Sequence, residues 1–184
     1  MPFAAVPGFM GPLKTMQGVA PRALEFTILT ASRSGEALGA TWGEIDMKEK
    51  VWTVPAERMM AGKEHRVPLS DRAVAILEEI QQGRTSEFVF PGFKRGRPLS
   101  DMSLTAVLRR METAVTTHGF RSSFRDWAGD HTSFPRDVVE AALAHAIENR
   151  TEAAYRRSDA LEKRRKLMAA WADFCNVPES RAAR

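Results

Sequence analysis

The chain is short of the residues that many enzyme classes and secreted folds depend on. It has one cysteine and one tyrosine among 184 residues. A lone thiol, Cys175, cannot staple the fold, so stability must come from a packed core, and a reducing cytoplasm is the expected setting. No apolar run approaches the length of about 18 residues that a spanning helix requires, so no membrane crossing is expected. The start, Met1-Pro2-Phe3-Ala4, puts no basic flank before an apolar stretch, and no signal peptide is expected. There is no HExxH, no Cys/His cluster with zinc spacing, no GxxxxGK[ST] loop and no serine in a nucleophile-elbow pattern. Histidines stand at 65, 118, 131 and 145, and a metal site built from the last three is an alternative that no spacing demands. Internal repeats and low-complexity tracts are also missing.

What is present fits one ordinary domain, long enough to bury a core, with 43% hydrophobic and 27% charged residues. The net charge of +4 is a mild bias that many proteins without a polyanionic partner share. Its distribution is more informative. Lys94-Arg95-Gly96-Arg97, Arg109-Arg110, Arg156-Arg157 and Lys163-Arg164-Arg165-Lys166 are short basic clusters. Each alone reads as a solvated face, and together they favour a phosphate-lined groove.

Periodicity gives a mainly helical α+β chain with one small antiparallel sheet. Residues 1–20, rich in Pro, Gly and Met, read as a short helix and linker. Pro21–Thr30 opens with Pro in a first turn and continues as a buried helix, with Arg33 at or just past its end. Glu36–Ala40 is a second short helix. Val51–Val54 and His65–Leu69 are β candidates, and Phe88-Val89-Phe90 is a possible third strand. Helical spacing returns at Asp71–Gln82 behind a Ser70 cap, then at Ser100–Glu112, Phe120–Asp130, Pro135–Leu143, Thr151–Arg157 and Leu161–Cys175. The domain proper is expected over 21–176, followed by a tail over 177–184.

The single tyrosine, Tyr155, follows His118-Gly-Phe-Arg121 and Leu143-Ala-His145, and Arg33-Ser-Gly-Glu36 lies upstream. A phenol with its pKa near ~10 is a poor nucleophile unless cations and proton-transfer partners assist it. Attack on a phosphodiester gathers negative charge on two non-bridging oxygens. Guanidinium groups suit those oxygens because each gives two N–H bonds and keeps its charge. Arg33 and Arg121 are the candidates, and a carboxylate at Glu36 could orient Arg33. His118 lies three residues before Arg121, where both side chains could face one phosphate, and its imidazole could accept the phenol proton. His145 could donate to a non-bridging oxygen. Each residue also has a plainer role: an Arg33–Glu36 ion pair, a surface Arg121, an N-cap-like His118, a helix C-cap at His145. The order Arg, His-x-x-Arg, His, Tyr suggests DNA strand cleavage through a phosphotyrosine.

These residues resemble the catalytic domain of the tyrosine recombinases, the phage integrase family, and in particular bacterial prophage and genomic-island integrases. Leu29–Leu38 resembles the first arginine box. Trp42–Asp46, Trp52–Met59 and Glu64–Ser70 resemble the β-hairpin region, and the boxes at 118–121, 143–145 and 154–155 complete the order from about residue 21 to 175. The resemblance implies that Arg33 and Arg121 clamp the scissile phosphate, that His118 and His145 assist, and that Tyr155 attacks to leave a 3′-phosphotyrosyl link. It implies double-stranded DNA as partner, with Lys94, Arg95, Arg97 and Arg156 as contacts, and no metal, ATP or other cofactor. The apolar face of the last helix, Leu161–Cys175, can pack in its own domain, and the resemblance further implies docking of that tail on a neighbouring protomer, a homotetramer in the synaptic complex, a monomer for the isolated domain, and possible DNA-bending accessory proteins. One position departs from the pattern. The family's catalytic lysine falls at Met60, which cannot donate a proton, and Lys63 in the same turn is the candidate substitute. The domains that usually precede this one are also missing from the chain, which reads as a catalytic fragment with weak, salt-dependent DNA affinity. A DNA-binding module or relic without catalysis, and a helical regulator with another acidic partner, are the competing readings.

Overall fold

A helix without a solvent face organises the chain. In the computed structural model, which describes residues 1–145 and 160–177, every residue from Pro21 to Thr30 is buried. These residues belong to α2 (Val19–Thr30). Packed against it are α1 (Val6–Thr15), α3 (Ser34–Leu38), α4 (Asp71–Gln82), α5 (Asp101–Arg110) and the last described helix, α8 (Leu161–Cys175). Between α5 and α8 lie α6 (Gly119–His131) and α7 (Arg136–Ala142). A helix buried all round must satisfy its own polar side chains. The Thr27 and Thr30 hydroxyls donate back to the Ala23 and Phe26 carbonyls at 2.7 and 2.8 Å. Glu25, with no exposed surface, accepts from Arg22 Nη1 at 2.7 Å and from Arg72 Nε and Nη2 of α4 at 2.7 and 2.9 Å. That bond to Glu25 also raises the Arg72 pKa. A buried carboxylate without such partners would be strongly unfavourable, so this cluster fixes α4 on α2.

Local sequence explains most of the remaining elements. Ser70 caps α4, its Oγ accepting from the Ala73 N–H at 3.3 Å. The sheet has order β1-β2-β3, with β1 (Ile45–Asp46), β2 (Val51–Val54) and β3 (His65–Pro68) antiparallel and Trp52 opposite both Ile45 and Val67. Trp52 is fully buried, and its Nε1 donates to Glu44 Oε2 at 2.9 Å. The third strand is therefore Ile45–Asp46 and not Phe88-Val89-Phe90. The latter makes only a bridge from Phe88 to Thr41 and a bond from the Val89 N–H to the Ala40 carbonyl at 2.8 Å. Val89 and Phe90 are instead buried in the helical core, where Phe90 meets Phe26 of α2 at 5.4 Å between ring centres.

Residues 1–20 carry the expected short helix as α1, whose Val6, Met10 and Leu13 are fully buried in the common core and whose Phe9 packs on Phe120 at 5.0 Å between ring centres. At the other end α8 docks on its own chain. Trp171 is fully buried, donates from Nε1 to the Ile28 carbonyl at 2.9 Å, and meets Trp127 and Phe124 at 5.1 and 5.5 Å. The whole is a mainly helical fold with one small antiparallel sheet. Among the described residues no helix is long and apolar enough to cross a membrane. The helix expected over 151–157 lies outside the described residues.

Candidate active site

The end of α2 turns sharply, with Ala31 in the left-handed region at φ 48°, and delivers Arg33 to the N-cap of α3. The buried Glu36 then holds Arg33 twice. One carboxylate oxygen accepts the Arg33 backbone N–H at 3.0 Å and the other accepts Nη1 at 2.7 Å. The two plain readings of Arg33, ion pair and oriented cation, therefore coincide. The other guanidinium nitrogens of Arg33 have no partner among the described residues, and a quarter of its side chain is exposed. Behind α3, Arg58 from the 3-10 turn Ala56–Arg58 donates Nη2 to the Glu36 carbonyl at 3.0 Å and to Glu44 Oε2 at 3.1 Å. A Cβ at Gly39 would lie 2.3 Å from Arg58 Nη1, so a side chain there would shift this guanidinium.

Arg121 comes from the first turn of α6 and sits against the same corner. Its Nη1 donates to the Ala31 carbonyl, two residues before Arg33, and its Nη2 to the Leu143 carbonyl at 2.7 Å. The residue is 5% exposed and its buried Nε has no partner among the described residues. Burial, and then the neighbouring Arg33 charge, push its pKa down to about 10, with Glu36 opposing, so it stays cationic at neutral pH. Two guanidinium groups and one buried carboxylate thus share one electrostatic neighbourhood.

His145 reaches this corner through the end of α7. Ala144 takes the left-handed conformation at φ 51°, the His145 N–H bonds to the Glu140 carbonyl at 3.0 Å, and the Ala144 N–H to the Ala141 carbonyl at 3.2 Å. That 6→1 and 5→2 pair is a Schellman motif, and it folds His145 back over Glu140. His145 Nε2 lies 3.3 Å from Arg121 Nη2, while Nδ1 lies 2.5 Å from Glu140 Oε2. The other Glu140 oxygen accepts Arg125 Nε of α6 at 2.8 Å. Bonds to His145 and Arg125 outweigh desolvation and hold the Glu140 pKa below its ordinary value.

The remaining candidates are more peripheral. His118 is exposed at the N-cap of α6, its backbone carbonyl accepting the Arg121 N–H at 3.0 Å, and its side chain caps nothing. Lys63 is exposed in the turn before β3, beside Gly62 at φ 60°, and Met60 in the same turn is 86% exposed. Lys94, Arg95 and Arg97 are exposed on a tight hairpin, closed by the Gly92 N–H to the Arg97 carbonyl at 2.8 Å and a Pro91–Pro98 bridge. Its tip also carries Phe93, fully exposed. Tyr155 and Arg156 lie outside the described residues.

Two neighbours of the site were hard to foresee from the residues alone. Glu140 lies five residues before His145, a spacing that brings side chains together only across a left-handed turn. His65 reads as an ordinary strand residue, yet it lies electrostatically close to Arg164, Glu36 and Arg121 and next to the Ala142 backbone. Burial first, and then Arg164, push its pKa down to about 4, so it is neutral at pH 7. Arg164 of α8 is itself 1% exposed and donates to the Arg66 carbonyl. The alternation in β3, which sends Val67 inward, was the available signal for His65.

Known proteins bear on this arrangement. Prophage integrase IntA of Escherichia coli K12 is 42% identical over 159 residues, covering 83% of this chain and 38% of IntA. The integrase of Enterobacteria phage P4 is 32% identical over 198 residues, covering 96% of this chain and 45% of that protein. The chain thus spans less than half the length of these relatives. An integrase from mycobacterium phage Brujita has the same fold, with a TM-score of 0.70 at 18% identity over 92% of this chain and 57% of its own. So does the Tn1549 transposon integrase in complex with circular intermediate DNA, with a TM-score of 0.56 at 13% identity over 82% of this chain and 62% of its own. The Phage integrase family matches residues 12–162. With the arginine boxes on one corner of this fold and that match over most of the length, the chain belongs to the phage integrase family.

Proposed function

We propose that this chain is the catalytic part of a site-specific DNA recombinase that cuts and rejoins duplex DNA through Tyr155, as in prophage integration or excision. The observation that carries the reading is the convergence of Arg33 and Arg121 on one corner, with Glu36 holding the first and His145 in contact with the second. Such a pair suits the two non-bridging oxygens of a phosphodiester in its trigonal-bipyramidal transition state. The Tyr155 phenol oxygen attacks phosphorus and gives its proton to an imidazole, His118 being the candidate. The bond to the 5′-oxygen breaks, and Lys63 is the candidate donor of the proton that oxygen takes up. A 5′-hydroxyl of a partner strand reverses the steps. The phosphoester is conserved in the covalent link, so neither ATP nor a metal ion is needed.

Lys94, Arg95 and Arg97 on their hairpin, with Arg156, are assigned to DNA phosphates. The Tn1549 integrase, a relative in fold, is itself in complex with a circular intermediate DNA, which supports DNA as the ligand here. On DNA the protein is expected to act as a tetramer in the cytoplasm, with bending proteins as possible accessories, and the isolated chain to be monomeric. The catalytic unit is taken to begin with α1, since that helix is part of the core. A second reading, a DNA-binding module that does not cleave, is favoured by one observation: an exposed Met60 at the position where the family carries its lysine.

A nicked half-site from which the cut fragment diffuses away separates the two. The recombinase reading expects trapped covalent protein–DNA that disappears in Tyr155→Phe and in Arg33→Ala and Arg121→Ala. Binding at low salt with no covalent product would leave only the module.

A further inference from the structure

We propose that Glu140 is a positioning residue that fixes the tautomer of His145 in the free protein and turns its Nε2 toward the DNA phosphate, a role that rests on the reading of His145 as part of the recombinase site. Arg121 Nη2 can only donate, so the His145 nitrogen facing it at 3.3 Å, Nε2, must present its lone pair. The ring proton then sits on Nδ1, which lies 2.5 Å from the Glu140 carboxylate. A neutral imidazole takes the tautomer that its better partner selects, and a carboxylate acceptor on Nδ1 selects this one.

The helix end builds the geometry. In a Schellman motif the residue two past the cap packs on the residue five to six positions earlier, usually through an apolar contact. Here that contact is replaced by a charged hydrogen bond, with His145 over Glu140. Ala144 holds the required left-handed turn although it is not glycine. The carboxylate is in turn fixed from the neighbouring helix by Arg125, one turn along α6 from Arg121. The same helix therefore aims Arg121 and, through Arg125 and Glu140, aims the imidazole that meets it. With Nδ1–H held by Glu140, Nε2 faces the site, and once a phosphate oxygen engages Arg121 the ring takes a proton from solvent on Nε2 and donates from it to that oxygen as an imidazolium that the Glu140 carboxylate stabilises.

Two measurements on the full 184-residue chain test this. Long-range 1H–15N correlation of ring-labelled histidine, with His145 identified from the His145→Asn spectrum, should show the Nδ1–H form at neutral pH. Glu140→Ala should move it toward the Nε2–H form. On the nicked half-site Glu140→Ala should slow cleavage about tenfold or more with DNA affinity and melting temperature little changed. Glu140→Gln, whose amide oxygen still accepts from Nδ1, should recover most of the rate. Glu140→Ala combined with His145→Ala should be no slower than His145→Ala alone. An Nε2–H tautomer in the wild-type chain overturns the proposal. So does a wild-type rate in Glu140→Ala when His145→Ala is slow, or a Glu140→Gln as slow as Glu140→Ala. If His145→Ala cleaves normally, the role given to His145 falls instead, and the tautomer measurement alone decides the role of Glu140.

Discussion

Acidification from pH 7 to pH 5 is expected to weaken the fold through His65 of β3. Its folded pKa of about 4 lies below the ordinary 6.5 because burial and the Arg164 charge disfavour the imidazolium, with Arg121 adding a smaller push. Glu36 and the Ala142 carbonyl oppose them without prevailing. Above pH 6.5 both folded and unfolded chains carry a neutral ring, and the contribution to stability is complete. Below it the unfolded chain takes a proton that the folded chain refuses, so stability falls until the pH passes the folded value. At about 1.4 kcal/mol per pKa unit, the full loss is about 3 kcal/mol, of which roughly 2 kcal/mol falls between pH 7 and pH 5. Urea unfolding followed by tryptophan fluorescence at pH 7, 6 and 5 reads this directly. His65→Phe keeps the ring volume and removes the titration. Any change it makes to the packing acts at every pH and leaves the slope to report the imidazole alone. The variant should lose less stability than wild type on acidification, by roughly 2 kcal/mol across that interval. Parallel curves for the two proteins would refute the reasoning.

Three further outcomes follow from the same structure. Glu25→Ala takes from Arg72 its carboxylate partner and from Arg22 one of two, and should cost about 3–5 kcal/mol in chemical denaturation, a loss under about 1 kcal/mol being incompatible with a working buried cluster. Lys94→Gln with Arg95→Gln should weaken half-site binding and reduce the slope of log affinity against log salt by about 0.9 for each phosphate the hairpin no longer neutralises, whereas an unchanged slope would take this hairpin off the DNA. Met60→Lys should accelerate suicide-substrate cleavage if the general acid is missing, and no gain would point to Lys63 or another donor.

The legible parts of the fold were those where local chemistry and burial agree. Ser70 before an amphipathic run marked α4, and the polar Gly-containing stretch between Val54 and His65 marked the β2–β3 pair. The Arg33–Glu36 pair was legible too, because a cation at a helix junction three residues before a glutamate is a local pattern. Long-range competition hid the rest. Phe88-Val89-Phe90 has strand composition, but the helical core claims both Val89 and Phe90, and the short Ile45–Asp46 takes the free edge of β2. Residues 1–20 have linker composition, yet the apolar spacing of Val6, Met10 and Leu13 was the stronger signal. The Glu140–His145 pair depends on Ala144 adopting a left-handed turn, which nothing in an alanine announces. His65 depends on Arg164, almost a hundred residues away, being folded against the same strand.

Mass spectrometry of the covalent product tests the central claim most directly. After trapping on the nicked half-site and digestion with nuclease and trypsin, the peptide Thr151–Arg156 should carry the nucleotide adduct on Tyr155, linked through a 3′-phosphate. A trapped adduct on any other residue, or DNA that is bound by the chain yet never joined to it, would contradict the account.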